Sequence, residues 1–359
     1  MSSGSSPSDR RAAIACREHL ISRRRALLTL SLALGLPVRA SRAQPELPLR
    51  VGFISILPMT QLFIMEGEQW TRDVGLELIL KRFSSGPPMV DALEAGDLDV
   101  AYIGIGPAML ARARGVDVKV VAANIIEQVA LIGRGDLVAA FAATSSPGEA
   151  FRRFRESAGR PVKIATLPPG AVPDTILRYY LQEVVRVDPH AVDIVGVGED
   201  EVEHLLLSGA VDAASIVEPI LTIVLMRDRS TRIIARPGQM LAHHPGGVVL
   251  VAASVIAQNR GEVAKLVELH VRATEFVRNN PDRAAADVVE FLGRGLVDPA
   301  IIRKALTSET TRLIADPRAI VEATRQLQSY QERLGTQTAP IDVDALFDFS
   351  FYDAAVARR

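Results

Sequence analysis

The sequence predicts an α/β protein of two like lobes followed by C-terminal helices, and three observations carry that prediction. First, a helix–glycine–strand unit occurs twice. Residues 89–101 read as a short helix through Val90 and Leu93, a stop at Gly96 and the start of a buried strand. Residues 202–214 repeat the pattern, with Leu206, Gly209 and Asp212 answering Leu93, Gly96 and Asp99 at a constant offset of 113 residues. Glycine suits the stop because it alone takes positive φ without steric cost. Second, the chain is 48% hydrophobic but only 5% aromatic and holds 25 glycines, which suits an aliphatic α/β core better than an all-β or disordered chain. Third, 359 residues leave room for two domains of about 100–200 residues each.

The chain opens on a basic segment. Its first 43 residues hold eight arginines against Asp9 and Glu18, a net of +6, so a whole-chain charge of −1 leaves −7 for the remainder. An acidic body has no electrostatic reason to bind nucleic acid or an anionic membrane surface. Ser22-Arg23-Arg24-Arg25-Ala26-Leu27-Leu28 resembles a twin-arginine export signal; an arginine-rich Sec signal is the alternative. The apolar run Ala26–Leu36 is shorter than the roughly 20 residues that cross a bilayer. Ser41-Arg42-Ala43 puts small residues before Gln44, so residues 1–43 read as an export signal cleaved near Ala43 and the product as periplasmic. Cys16, the only cysteine, precedes that cut. The mature chain is therefore expected to have no disulfide, thiol nucleophile or cysteine metal site.

In the mature chain, Leu49–Ile54 alternates as a strand and ends at Ser55 and a turn at Pro58. Met59, Leu62, Phe63 and Trp70 recur at helical spacing and predict one helix to about Asp73, with Trp70 in the core. Strands follow at Leu76–Leu80 and, after the first repeat helix, at Val100–Ile105. The latter is apolar throughout, as parallel strands covered on both faces are. Gly104-Ile105-Gly106-Pro107 turns into a helix Ala108–Arg114, proline being tolerated in a first turn. Val118–Ala123 and Val129–Ile132 are two more strands, and the crossing into the second lobe is placed around Gly133–Gly135.

The second lobe is read as helix Pro147–Ser157, strand Val162–Thr166, helix Thr175–Val185 and strand Val192–Val195. The repeated helix 200–208 and strand Ala213–Val217 follow, then helix Ile220–Met226 and strand Thr231–Ile234. His243–Gly247 leads back into Val248–Ala252 of the first lobe. The lobes are thus 44–134 with 245–359, and 135–244. Beyond Ser254 the pattern is helical, including Pro281–Leu292 and Pro317–Arg333, and these helices are expected on the first lobe and across the hinge.

No Walker loop, dinucleotide fingerprint, nucleophile elbow or zincin motif is present. His204 and His270 read as surface or core-edge residues. His243-His244 lacks the neighbouring carboxylate or cysteine spacing of a metal site. No metal, cofactor or catalytic residue is expected, so the chain reads as a binder and not an enzyme. What it offers instead is helix N-termini beside polar, glycine-containing loops at strand ends, where α/β sheets bind ligands and where anions find unpaired N–H groups. The candidate ligand residues are Ser55, Ser85, Gly86, Gly106, Pro107, Gly170, Ala171, Asp174 and Glu218, the last being the counterpart of the end of the strand Val100–Ile105.

Phe83-Ser84-Ser85-Gly86, the repeat running into Gly104–Pro107, Pro169-Gly170, Val217-Glu218-Pro219 and Phe276–Pro281 occur in an order that resembles the substrate-binding proteins of ABC importers for nitrate, aliphatic sulfonates and taurine. The resemblance covers Leu49 to Leu292. It implies the type II periplasmic-binding-protein fold, closure on a small-molecule ligand, and partnership with ABC permease and ATPase subunits; a monomer is expected. Where that family often has Gly-Ser or Gly-Thr, this chain has Gly170-Ala171, and Asp174 and Glu218 add negative charge. A sulfonate, taurine or nitrate-like ligand therefore stands beside a zwitterion, an amine or a neutral heterocycle. Enzymes on the same fold (desulfinases and pyrimidine-precursor synthases) use cysteine, which the mature chain lacks. An extracellular sensor is the remaining alternative.

Overall fold

The computed structural model describes residues 48–293, 297–337 and 339–359; the expected export signal and its cleavage near Ala43 lie outside them. Among the described residues twelve strands occur: β1 Leu49–Ile54, β2 Leu78–Phe83, β3 Val100–Gly104, β4 Val118–Ala123, β5 Ile125–Ile126, β6 Ala130–Arg134, β7 Val162–Thr166, β8 Val192–Gly196, β9 Ala213–Ile216, β10 Thr231–Ala235, β11 Gly247–Ala252 and β12 Arg312–Leu313. Ten of them build two five-stranded sheets, ordered β2-β1-β3-β11-β4 and β8-β7-β9-β6-β10. β1 runs parallel to β2 and β3, and β7 runs parallel to β8 and β9. The fourth strand of each sheet, β11 or β6, is antiparallel to both its neighbours. The two sheets therefore share one topology, and the expected two-part α/β architecture is present.

That topology moves the first crossing. Ala130 to Gly133 already pair with Ile216 to Ala213 of the second sheet, so the chain crosses at Glu127–Val129 and not around Gly133–Gly135. The reason is burial: Ala130–Ile132 is wholly buried and needs a strand on each side. The return crossing runs alongside. Glu127 N–H donates to the His244 carbonyl at 3.0 Å, Gly246 N–H to Ile125 at 3.0 Å and Asn124 N–H to Gly247 at 2.8 Å. His244 is fully buried between them, its Nδ1 on the Leu241 carbonyl at 2.8 Å and its Nε2 accepting from Val129 N–H at 3.2 Å. Both ring nitrogens are thus spent on the two crossing segments.

Other expectations shift for physical reasons. The single helix to Asp73 is broken into Thr60–Gly67 and Trp70–Asp73 by Gln69, which takes a left-handed φ of 60°. The break lets Trp70 bury against Phe276, edge to face at 5.3 Å, beneath the Arg272 guanidinium. β2 begins two residues late because its register with β1 pairs Leu78 with Leu49. The helix after β3 starts at Ile105, not Ala108, so Gly106 and Pro107 belong to its first turn. The helix expected over Thr175–Val185 starts at Val172 and gives way to a π-helical turn at Tyr180–Val184. His270 is no core-edge residue: it is fully buried, with Nε2 on the Ala123 carbonyl at 2.9 Å and Nδ1 on the Tyr102 hydroxyl at 3.3 Å.

The C-terminal helices include Arg260–Asn279 and Pro281–Leu292, which pack on Thr60–Gly67; there Phe63 stacks on Phe291 at 4.9 Å. Val321–Leu334 reaches further. It lies against both Ile105–Ala113 and Val172–Tyr179, with Tyr330 donating to Gln182 at 2.7 Å and meeting the Tyr179 ring edge-on at 5.3 Å.

Candidate ligand-binding cleft

The strand ends of the two sheets face each other across a narrow cleft. From the first sheet and its connections come Ile54, Ile56, Met59, Gly86, Gly104, Pro107 and Gly247; from the second come Leu167, Ala171, Val172, Pro173 and Val217; Gln128 comes from the crossing itself. The positions follow from the fold, since the strand-to-helix turns of a parallel sheet all emerge at its carboxyl edge. Apolar side chains dominate, and the lining contains no Lys, Arg, His, Asp, Glu or Cys. It therefore offers apolar contact and hydrogen bonds, with no nucleophile or general base.

The halves are in contact. A Cβ on Gly106 would lie 2.8 Å from the Gly170 carbonyl oxygen, and one on Gly104 would lie 2.9 Å from a Val172 methyl. The remaining space is about 30 Å³, room for about one water molecule. Gly106 and Gly170 are thus glycine for different reasons. Gly106 is the close approach, whereas Gly170 takes φ of 87°, a backbone state that a side chain disfavours.

Of the expected site residues, Gly86, Pro107 and Ala171 line the cleft, and Gly106 meets Gly170 at its edge. Ser55 is buried between Ile54 and Ile56, and its hydroxyl has no hydrogen-bond partner. Ser85 is the N-cap residue of the helix Gly86–Glu94, buried and without a side-chain capping bond.

The two carboxylates turn to the protein. Asp174 accepts from Arg178 at 2.8 Å and from Gly170 N–H at 3.3 Å. Burial pushes its carboxyl above the ordinary range, against the pull of Arg178. Glu218 accepts from Thr222 N–H at 2.9 Å and from the hydroxyls of Thr222, Ser308 and Thr310 at 2.9–3.0 Å. Burial raises it as well, against those hydrogen bonds.

Sequence reasoning missed Gln128 and the apolar lining. Gln128 is 4% exposed and its side-chain oxygen has no partner. The signal was a polar pair, Glu127-Gln128, inside the otherwise apolar stretch Ile125–Ile132. Val172 and Pro173 read as helix core and nothing more. A larger open groove over Gly148, Arg152, Arg155 and Asp188 shares no residue with the cleft, and there Arg152 pairs with Glu156 and Arg155 with Asp188. Among the described residues no group of His, Cys, Asp or Glu could hold a metal ion, and no helix is long and apolar enough to cross a membrane.

Comparison with known proteins adds the following. The NMT1-like family model matches residues 42–293. A Brucella abortus protein named as a binding protein is 28% identical over 313 residues, covering 80% of this chain and 85% of its own. A Bacillus subtilis protein named for binding aliphatic sulfonates is 24% identical, covering 84% of this chain and 86% of its own. Among solved structures, the periplasmic nitrate-binding protein NrtA of Synechocystis superposes with a TM-score of 0.70 at 16% identity, over 87% of this chain and 88% of its own.

Proposed function

The chain belongs to the NMT1-like family and has the two-lobe fold of ABC-importer substrate-binding proteins; from that premise we propose that it captures a small molecule between its sheets and delivers it to a membrane permease and its ATPase. The observation that carries the reading is the pair of sheets of identical topology, joined by two adjacent crossings at Glu127–Val129 and His243–Gly247, whose strand ends face one cleft. Two rigid halves on a short hinge can close on a ligand and present a new surface to a permease. The nitrate and sulfonates in the names of similar proteins are the ligands of those proteins.

Export through Arg23-Arg24-Arg25, with a mature start near Gln44, belongs to the same proposal; N-terminal sequencing of the periplasmic form tests it. The transport role is tested in proteoliposomes that hold a permease–ATPase complex from the same cell. The liganded protein should raise ATP hydrolysis above the level with ligand alone. Ligand binding without any such stimulation would leave a sensor as the better reading.

A further inference from the structure

Helix N-termini ordinarily favour anions through free N–H groups and the positive end of the dipole. Here that capacity is reduced. Three helices begin at the cleft, and their first three positions are Gly86-Pro87-Pro88, Ile105-Gly106-Pro107 and Val172-Pro173-Asp174. Four of these nine positions are proline and have no N–H. The Ile105 N–H already donates to the Gly246 carbonyl at 2.9 Å. The third helix carries its own carboxylate in the first turn, Asp174, fully buried and accepting from Gly170 N–H. A fourth helix, Ile220–Arg227, follows Val217 of the lining and is capped in the same way: Glu218 accepts its Thr222 N–H at 2.9 Å. Two carboxylates thus occupy helix ends where a ligand anion could otherwise sit; Arg178 pairs with Asp174 from outside the lining, and no cationic side chain lines the cleft itself.

The groups that remain are of another kind. Ile54, Ile56 and Met59 face Val172, Pro173 and Val217. Gly86 and Gly104 lie against Pro107 and Val172 of the same lining. One polar side chain, Gln128, belongs to the lining, and its buried oxygen has no partner. An acceptor left unpaired in an apolar place costs free energy that a ligand donor recovers.

We infer that the ligand is uncharged and largely apolar, with a flat body held between the aliphatic walls and an N–H or O–H group donated to Gln128. The inference rests on the solute-binding reading of this cleft and deepens it.

Calorimetric titration of the mature protein with two sets of probes tests it: nitrate, methanesulfonate and taurine against benzamide, nicotinamide and uracil. At least one uncharged ring should bind, with an affinity indifferent to added salt, and the ionic probes should not. Gln128→Leu should weaken that ring about threefold to tenfold, as loss of one neutral hydrogen bond does. Pro173→Trp, which fills the cleft, should abolish it, a thermal melt confirming that both variants fold. Binding of nitrate or methanesulfonate that weakens as salt rises would overturn the inference and leave the solute-binding reading standing. A folded protein that binds no probe of either set would count against both.

Discussion

Asp99 and Asp212 hold the same place in two different sheets. Asp99 accepts the N–H of Arg50, in β1, at 2.8 Å, and its own N–H returns to the Arg50 carbonyl at 2.9 Å. Asp212 makes the same closed pair with Lys163, in β7, at 2.9 Å in each direction. Arg50 and Lys163 are themselves 113 residues apart, so the offset read in the helix–glycine–strand unit extends to the strand it is tied to. A guanidinium completes each site, from Arg50 itself in the first and from Arg160 in the second.

Each aspartate therefore locks the start of its sheet's central strand pair. Asp99→Ala and Asp212→Ala should each cost about 1.5–3 kcal/mol, the range for a hydrogen bond to a charged group. The two losses should add, because the sites lie in separate sheets. Urea unfolding of the single and double variants measures this. A double variant no less stable than either single would show that the two sites are not independent.

Glu218 has four hydrogen bonds to protein groups and 3% exposure. Glu218→Gln puts an amide N–H against a protein donor, so the empty protein should lose about 1–3 kcal/mol while affinity per folded molecule stays nearly normal. A melt beside calorimetry separates the effects. A large loss of affinity with an unchanged melt would place the carboxylate on the ligand instead.

Gly106→Ala tests closure. The added methyl meets the Gly170 carbonyl and the Gln331 side-chain amide, both at 2.8 Å, yet alanine suits the helix. The halves should be held apart: the radius of gyration rises in solution scattering, ligand binding weakens, and the melting temperature changes little. A scattering curve identical to that of the parent would mean these stretches do not meet in solution.

Two buried histidines predict acid sensitivity. Burial lowers both His244 and His270 to about 4, from an ordinary 6.5. Below pH 6.5 the unfolded chain binds protons that the folded protein refuses until about pH 4. Their contribution is complete above pH 6.5 and is lost as pH falls, by about 2 kcal/mol each at pH 5. Asp287, pushed up to about 7 by burial and by Glu68, works the other way, since its folded carboxyl keeps a proton that the unfolded chain releases. The comparison must therefore be between the parent and His270→Asn. The stability gap between them should narrow by about 2 kcal/mol between pH 7 and 5; a constant gap would show that His270 does not titrate in this way.

The local joints of the fold were legible because local sequence dictates them. Gly96 and Gly209 adopt φ of 74° and 77° as helix stops require, and the apolar runs became strands because buried strands need them. The second sheet's β6 was assigned to the wrong half, since Ala130–Arg134 suits either sheet and only pairing with β9 decides. Glu218 is placed near the mouth by the register of the repeat and Asp174 by its loop at a helix start, but neither says which way a side chain turns.

By itself, then, the sequence determined the α/β class, the duplicated unit with its 113-residue offset and the turns that come to the strand ends, all of which depend on neighbours within a few positions. The tertiary structure alone decided where the chain crosses and that Gly106 meets Gly170. It also decided that the carboxylates serve the protein while the Gln128 oxygen is left without a partner. Those outcomes depend on groups distant in the chain competing for the same hydrogen bonds and the same space, and that competition is settled only when both sheets are in place.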